Sequence, residues 1–241
     1  MASEIKANKI SPATGTDVTL GDSGDTFTVP SGATIVNSGT ATGFASGLAS
    51  VQTFTSSGTW TRPAGITKVI MEVQGAGGGG GRNDTYNYRG TSGSAGGYAK
   101  KLLDVSSVSS STITIGAGGA GGAADTNDGA AGGLSSWADG GTTVTGGAGG
   151  AGIGEDTYGY TAGGSGTNGD INITGGAGGS SRYGFGTPDS QLGIGGGYLA
   201  SSAYQAAGEN DAVGYGSGGG GGDGRRGGNG AGGIIIVWEY K

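Results

Sequence analysis

The sequence predicts an all-β protein: a short N-terminal β-stem, then a β-sandwich from which glycine-rich polyglycine II helices leave and return as a packed bundle, with no substantial α-helix. Three observations carry this. Glycine fills 64 of 241 positions, and much of it recurs with a period of three. The clearest runs are Gly118-Gly119-Ala120-Gly121-Gly122-Ala123, Gly146-Gly147-Ala148-Gly149-Gly150-Ala151 and Gly175-Gly176-Ala177-Gly178-Gly179-Ser180. Three residues per turn fits neither α-helix nor strand but matches the extended polyproline II helix, which has no internal hydrogen bonds. Segments without side chains lie close enough to bond backbone to backbone, which satisfies their amides and carbonyls. The second observation is that the aliphatic residues cluster into short alternating stretches rich in β-branched side chains. The third is that no stretch has a clear amphipathic helical face; residues 199–209 come nearest.

Taken in chain order, residues 1–44 read as a stem and attachment segment. Val18-Thr19-Leu20, Phe27-Thr28-Val29 and Thr34-Ile35-Val36 alternate apolar and polar, and turn signals follow at Gly21-Asp22, Pro30-Ser31-Gly32 and Asn37-Ser38-Gly39. Strands this short bury little in one chain, so winding together with two further copies is the expected way to cover their apolar face. Residues 45–50 read as a flexible joint. From 51 to 241 the expected strands are Val51–Phe54, Gly58–Trp60, Lys68–Val73, Tyr98–Leu103, Ser111–Ile115, Thr142–Thr145, Asp170–Ile173 and Ile234–Tyr240. The last opens Ile-Ile-Ile-Val-Trp, apolar on both faces, and is expected inside its sheet.

Between the glycine runs lie polar, aromatic insertions. They hold Arg82, Tyr86, Tyr88 and Arg89; Tyr158 and Tyr160; Tyr183 and Phe185; and Tyr198, Tyr204 and Tyr215. All ten tyrosines except Tyr98 and Tyr240 fall in them. Tyrosine mixed with Ser, Asn, Gly and Asp is the composition of binding loops, where rigid amphipathic rings give contact area at low entropic cost. Rings that merely cap a glycine bundle would not need four differently worded loops.

Composition narrows the function. Leu, Ile, Val and Phe number 36, below the roughly 20% typical of folded chains, but the net charge is only −6 and the aliphatics are clustered. A folded chain that associates with other copies is expected, because each ordered glycine costs roughly 0.5–1 kcal/mol more than alanine. Cysteine and histidine are absent, which excludes disulfides, thiolate nucleophiles, histidine bases and zinc sites built on them. The acidic balance, with pI near 4.5, disfavours nucleic acid. Met1 to Lys6 has no apolar signal region, and Ile234 to Trp238 is far too short to span a bilayer. Synthesis without export, no membrane insertion and a role outside the cell of origin are expected.

The order of Phe54-Thr55-Ser56-Ser57-Gly58-Thr59-Trp60-Thr61-Arg62-Pro63-Ala64-Gly65, then Gly96-Gly97-Tyr98-Ala99, Thr112-Ile113-Thr114-Ile115-Gly116 and the closing Gly-Ala-Gly-Gly-Ile-Ile-Ile-Val-Trp-Glu-Tyr is informative. It resembles the glycine-rich C-terminal domain carried by many bacteriophage tail-fibre proteins, over residues 51–241. Ala2-Ser3-Glu4-Ile5-Lys6-Ala7-Asn8-Lys9-Ile10 is similar to the start of short tail-fibre proteins of marine phages. The glycine bundle is similar to the polyglycine II sandwich of the distal adhesins of T-even-like phages, whose inter-helix loops contact the host receptor. The resemblance implies a homotrimeric virion fibre, joined to other tail proteins, whose tip binds an outer-membrane protein or surface polysaccharide. Unlike the detached adhesins, this chain carries its own stem-like segment.

Other motifs are weaker. Gly116-Ala117-Gly118-Gly119-Ala120-Gly121 satisfies a dinucleotide fingerprint, but Gly122-Ala123-Ala124-Asp125 cannot open the required helix. Glu155-Asp156 and Glu209 with Asp211 are the loop carboxylates available for glycoside hydrolysis, without an evident frame. Asp125-Thr126-Asn127-Asp128-Gly129 echoes a calcium loop but lacks its distal glutamate, and reads as a turn. Arg225-Arg226 suits an acidic sugar or phosphate, or equally a solvated turn. No catalytic residue, cofactor or metal is expected. The expected function is receptor binding by a tail-fibre adhesin. A passive structural fibre or coat protein would not need varied aromatic loops. An ice-binding glycine bundle needs a flat repetitive face, which the tyrosines interrupt.

Overall fold

The computed structural model describes residues 47–83, 90–123, 127–154, 159–179, 188–193, 211–223 and 226–241, together with 14–15, 24, 26, 28–34 and 36. The chain divides into two compact units, Met1–Ala45 and Ser46–Lys241. In the first, the described residues form no strand. Pro30 O accepts from Ala33 N at 3.0 Å across a turn whose third residue, Gly32, has φ 85°, as a type II turn requires. Val29 and Val36 are exposed. The stretches expected as stem strands lie wholly or partly outside the described residues, as does 199–209.

The second unit is all-β, and its described residues include no helix. Its strands are β1 (Leu48–Phe54), β2 (Gly58–Thr61), β3 (Lys68–Gln74), β4 (Arg82–Asn83), β5 (Tyr98–Asp104), β6 (Ser110–Thr114), β7 (Ser135–Ala138), β8 (Thr143–Gly146), β9 (Gly166–Thr167), β10 (Ile171–Ile173), β11 (Gly222–Asp223) and β12 (Ile234–Tyr240). Two antiparallel five-stranded sheets run β1-β12-β3-β5-β10 and β2-β6-β7-β8-β9, and β4 pairs in parallel with β11. β12 lies inside its sheet, between β1 and β3. β1 starts at Leu48, within the stretch that composition marks as a joint. Cross-strand pairing explains this, since Leu48 lies opposite Tyr240 and Ser50 opposite Glu239.

Period-two alternation decides which side chains are buried. Val69, Met71 and Val73 of β3 and Ile235 and Val237 of β12 meet Trp60, Ile113, Trp137 and Val144 from the other sheet in one core cluster. Trp60 and Trp137 are fully buried with ring centroids 4.8 Å apart, tilted by 49°, a separation at which aromatic pairs attract. Each large apolar side chain so buried contributes about 1.5–3 kcal/mol.

Strands continue directly into glycine segments. β3 leads into residues 75–82, β6 into 116–122 and β8 into 147–153, while 90–97, 127–133 and 227–233 lead into β5, β7 and β12. The central segment, 75–82, is enclosed by six neighbours. The N–H groups of Gly75, Gly78 and Gly81 donate to Gly97, Ser94 and Thr91. Those of Ala76, Gly79 and Arg82 donate to Gly133, Ala130 and Asn127, and those of Gly77 and Gly80 to Ala231 and Gly228. Its carbonyls at 77 and 80 accept from Gly119 and Gly122, those at 76 and 79 from Gly149 and Gly152, and those at 78 and 81 from Gly219 and Gly222. The bonding direction therefore repeats every third residue, and every amide in this dry segment is satisfied. Glycine is required here by close approach: a Cβ on Gly78 would overlap Gly150 O, and one on Gly80 would overlap Gly220 O.

Candidate functional site

The same hydrogen bonds fix the level of each segment along the bundle. Arg82 N meets Asn127 O at 2.9 Å, Gly81 N meets Thr91 O at 2.9 Å, Gly222 N meets Gly81 O at 2.8 Å and Gly227 N meets Gly122 O at 3.0 Å. Gly152 N bonds Gly79 O at 2.8 Å and Ser92 N bonds Gly179 O at 3.3 Å, close to the same level. The ends of eight glycine segments thus converge at the pole away from the two sheets. The connections between them, which include 84–89, 124–126, 155–158 and 224–225, lie outside the described residues, but their anchors share one platform.

Polar side chains knit that platform. Arg82 Nη1 donates to Ala123 O at 2.8 Å, joining the bases of two connections. Asp128 Oδ1 accepts from Gly154 N at 2.7 Å. Thr91 Oγ1 accepts from Ile153 N at 2.6 Å. Asp211 Oδ1 accepts from Asn229 N at 2.6 Å and pairs with Arg226 Nη2 at 3.1 Å. Arg226 Nη1 donates to Asn229 Oδ1 at 2.7 Å, and that oxygen also accepts from Gly121 N at 3.0 Å. Four hydrogen bonds thus link Asp211, Arg226 and Asn229, and the one from Gly121 N ties them to the segment 116–122. Asp211 and Arg226, read from the sequence as a possible acid and a possible anion contact, bond each other here, while Glu209 lies outside the described residues.

Of the sequence-predicted contact residues, Arg82, Tyr160 and Tyr215 are described. Arg82 sits at the platform. Tyr160 stands 76% exposed, next to Thr161, whose hydroxyl donates to Ala151 O at 2.9 Å and whose carbonyl accepts from Gly178 N at 2.8 Å. That places it within about one turn of Arg82 along the bundle. Tyr215 is elsewhere. Gly216, at φ 75°, receives Gly96 N on its carbonyl at 2.8 Å, so Tyr215 lies at the level of Gln74, where β3 ends. Some seven residues of extended chain, at about 3 Å each, put it roughly 20 Å from Arg82. Tyr86, Tyr88, Arg89, Tyr158, Tyr183, Phe185, Tyr198 and Tyr204 lie outside the described residues.

The sequence pattern of the glycine-rich domain family matches residues 49–240. The chain belongs to that family. The match covers both sheets except Leu48, the first residue of β1, and every glycine segment described above, and leaves residues 1–48 and 241 outside. No curated protein matches the chain. In the glycine-rich domain, then, the sheets supply the hydrophobic core, and the glycine segments carry chemically varied connections to one pole. Among the described residues no group of His, Cys, Asp or Glu gathers in a metal-binding arrangement, and no helix is long and apolar enough to cross a membrane.

Proposed function

We propose that this protein is a bacteriophage tail-fibre adhesin that binds a host cell-surface receptor through the connections at the pole of its glycine bundle. The observation that carries this reading is the convergence of eight segment ends on one platform knitted by Arg82, Asp128, Asp211, Arg226 and Asn229. A rigid scaffold that brings variable polar and aromatic loops to a single surface is how binding proteins separate stability from specificity. The three-residue repeat of hydrogen-bond direction further supports glycine segments of the polyglycine II kind, as in the phage adhesins that the sequence resembles.

In this reading residues 1–44 join three copies into a stem that attaches to other tail proteins of the virion. Tyrosine faces stack on sugar rings of a surface polysaccharide or pack on an outer-membrane protein. Several copies engaging together raise avidity by about 10²–10⁴ over one site. The experiment is a transplant. Residues 83–89, 124–126, 154–160 and 224–225 are moved onto the glycine-rich domain of a related fibre of different host range. Host range is expected to follow the loops; a chimera that keeps the recipient's host range would overturn the proposal.

A further inference from the structure

The outer faces of the two sheets differ in a way that solvent alone does not explain. Directly paired residues point to the same side of a sheet, so the register lists each outer face. In the sheet β2-β6-β7-β8-β9 one outer row reads Thr59, Thr112, Ala138, Thr143, and the next Thr114, Ser136, Thr145, Thr167. That is the polar surface expected of an antiparallel sheet with one solvated side. In the sheet β1-β12-β3-β5-β10 the corresponding row reads Val51, Trp238, Ile70, Leu102, an unbroken apolar stripe across four strands. Ile236 and Ile171 extend it in the next row. Val51 is 43% exposed, Leu102 55% and Ile171 52%.

We infer that this apolar sheet face packs against other copies of the same chain. Charge favours a copy as the occupant. The chain carries −6 overall, yet on this face Lys68 lies opposite Asp104, and Lys100 pairs with Glu72 at 3.2 Å. A neutral apolar patch lets two acidic molecules meet without like-charge repulsion. Area sets the strength. Five strands at about 4.8 Å and seven residues at about 3.3 Å give a face of roughly 550 Å² in projection. That is at the upper end for a patch left bare on a monomer and short of the roughly 800 Å² per partner of a stable pair. The contact therefore needs copies already tethered, whose effective concentration converts a weak contact into a formed one. The exposed Val29 and Val36 of the N-terminal unit are apolar groups suited to making that tether. The inference rests on the multi-copy part of the proposed function and not on its receptor.

The test uses thiol labelling of the full chain, which has no native cysteine. Leu102→Cys reports on the apolar face, Ile171→Cys is a second reporter on the same face, and Thr112→Cys on the polar face is the control. With a multi-copy solution mass, a charged maleimide is expected to react at least tenfold more slowly at 102 and 171 than at 112. Adding Val51→Lys should restore fast reaction while the mass stays unchanged. Equal rates in a multi-copy protein would overturn this inference and leave the fibre reading standing. Slow labelling at a single-chain mass would also overturn it, by assigning the face to the chain's own residues. A single-chain mass with equal rates would remove both readings.

Discussion

Trp60 Nε1 donates to Glu239 Oε1 at 2.7 Å, carrying a hydrogen bond from one sheet to the other through the protein's buried core. Gln52 Nε2 shares the same oxygen at 2.8 Å, and Ser50 Oγ bonds Oε2. A buried carboxylate with three side-chain donors is tolerable because each lone pair in use is met. The arrangement joins β1, β2 and β12 at one point.

Glu239→Gln tests that joint. An amide presents one oxygen where the carboxylate presents two, so at least one of Ser50, Gln52 and Trp60 loses its acceptor. Bonds to charged groups are worth about 1.5–3 kcal/mol, and a loss of about 2 kcal/mol in chemical denaturation is expected. Trp60→Phe should cost a similar amount. An unchanged midpoint in both would show that the joint carries no stability.

The glycine bundle makes a position-specific forecast. Gly78→Ala forces a Cβ into Gly150 O, with backbone on every side and nothing flexible to yield. Loss of soluble protein, or destabilisation of about 3 kcal/mol or more, is expected. Gly58→Ala, in β2 with open space around it, should be neutral or stabilising by about 0.5 kcal/mol. Thermal midpoints of the two variants compare them directly; similar values would contradict the close-packing account.

Placement along the bundle separates two tyrosines that the sequence treats alike. Tyr160→Ala, near the platform, should weaken binding to host cells at least about fivefold while leaving the thermal midpoint unchanged, as for a ring at a binding surface. Tyr215→Ala, at the level of Gln74, should leave binding unchanged. Cell-binding isotherms of the two purified variants decide this, and equal losses would count against a polar tip as the contact surface.

Acid should act through Asp170. Its Oδ2 accepts from Leu102 N at 2.9 Å, and Lys101 Nζ lies 3.4 Å from Oδ1. The Leu102 amide, and then Lys101, hold this carboxyl below its ordinary value. A depressed folded-state value stabilises the fold above the unfolded value of about 4, and the benefit disappears as pH falls through the depressed one. The midpoint difference between the native protein and Asp170→Asn should therefore be present at pH 5–7 and shrink below about pH 4. A pH-independent difference would assign the residue a purely steric role.

Much of the sheet architecture was legible in advance. Alternation along Lys68–Val73 and Ser111–Ile115, and the two-faced apolar run at 234–238, mark β3, β6 and β12 because burial imposes a period of two on side chains. Besides the two-residue strands β4, β9 and β11, the strand β7 was not legible: Ser135-Ser136-Trp137-Ala138 offers one large apolar residue, and its partners Ile113 and Val144 are distant in sequence. The glycine period announced lateral bonding, but glycine has no side chain to encode a partner, so the six neighbours of 75–82 emerge only in three dimensions. The position of Tyr215 is hidden for a related reason. Nothing near it in the sequence shows that the chain has returned to the level of β3, where Gly216 turns it back into the bundle.

The most direct test of the central claim is binding of the labelled full-length protein to bacterial cells, beside a variant whose residues 84–89, 124–126, 155–158 and 224–225 are replaced by short glycine-serine turns. The two proteins are matched for solution mass and thermal midpoint. Saturable binding by the intact protein and none by the trimmed one is the predicted result. Equal binding by both would contradict recognition through the pole of the bundle.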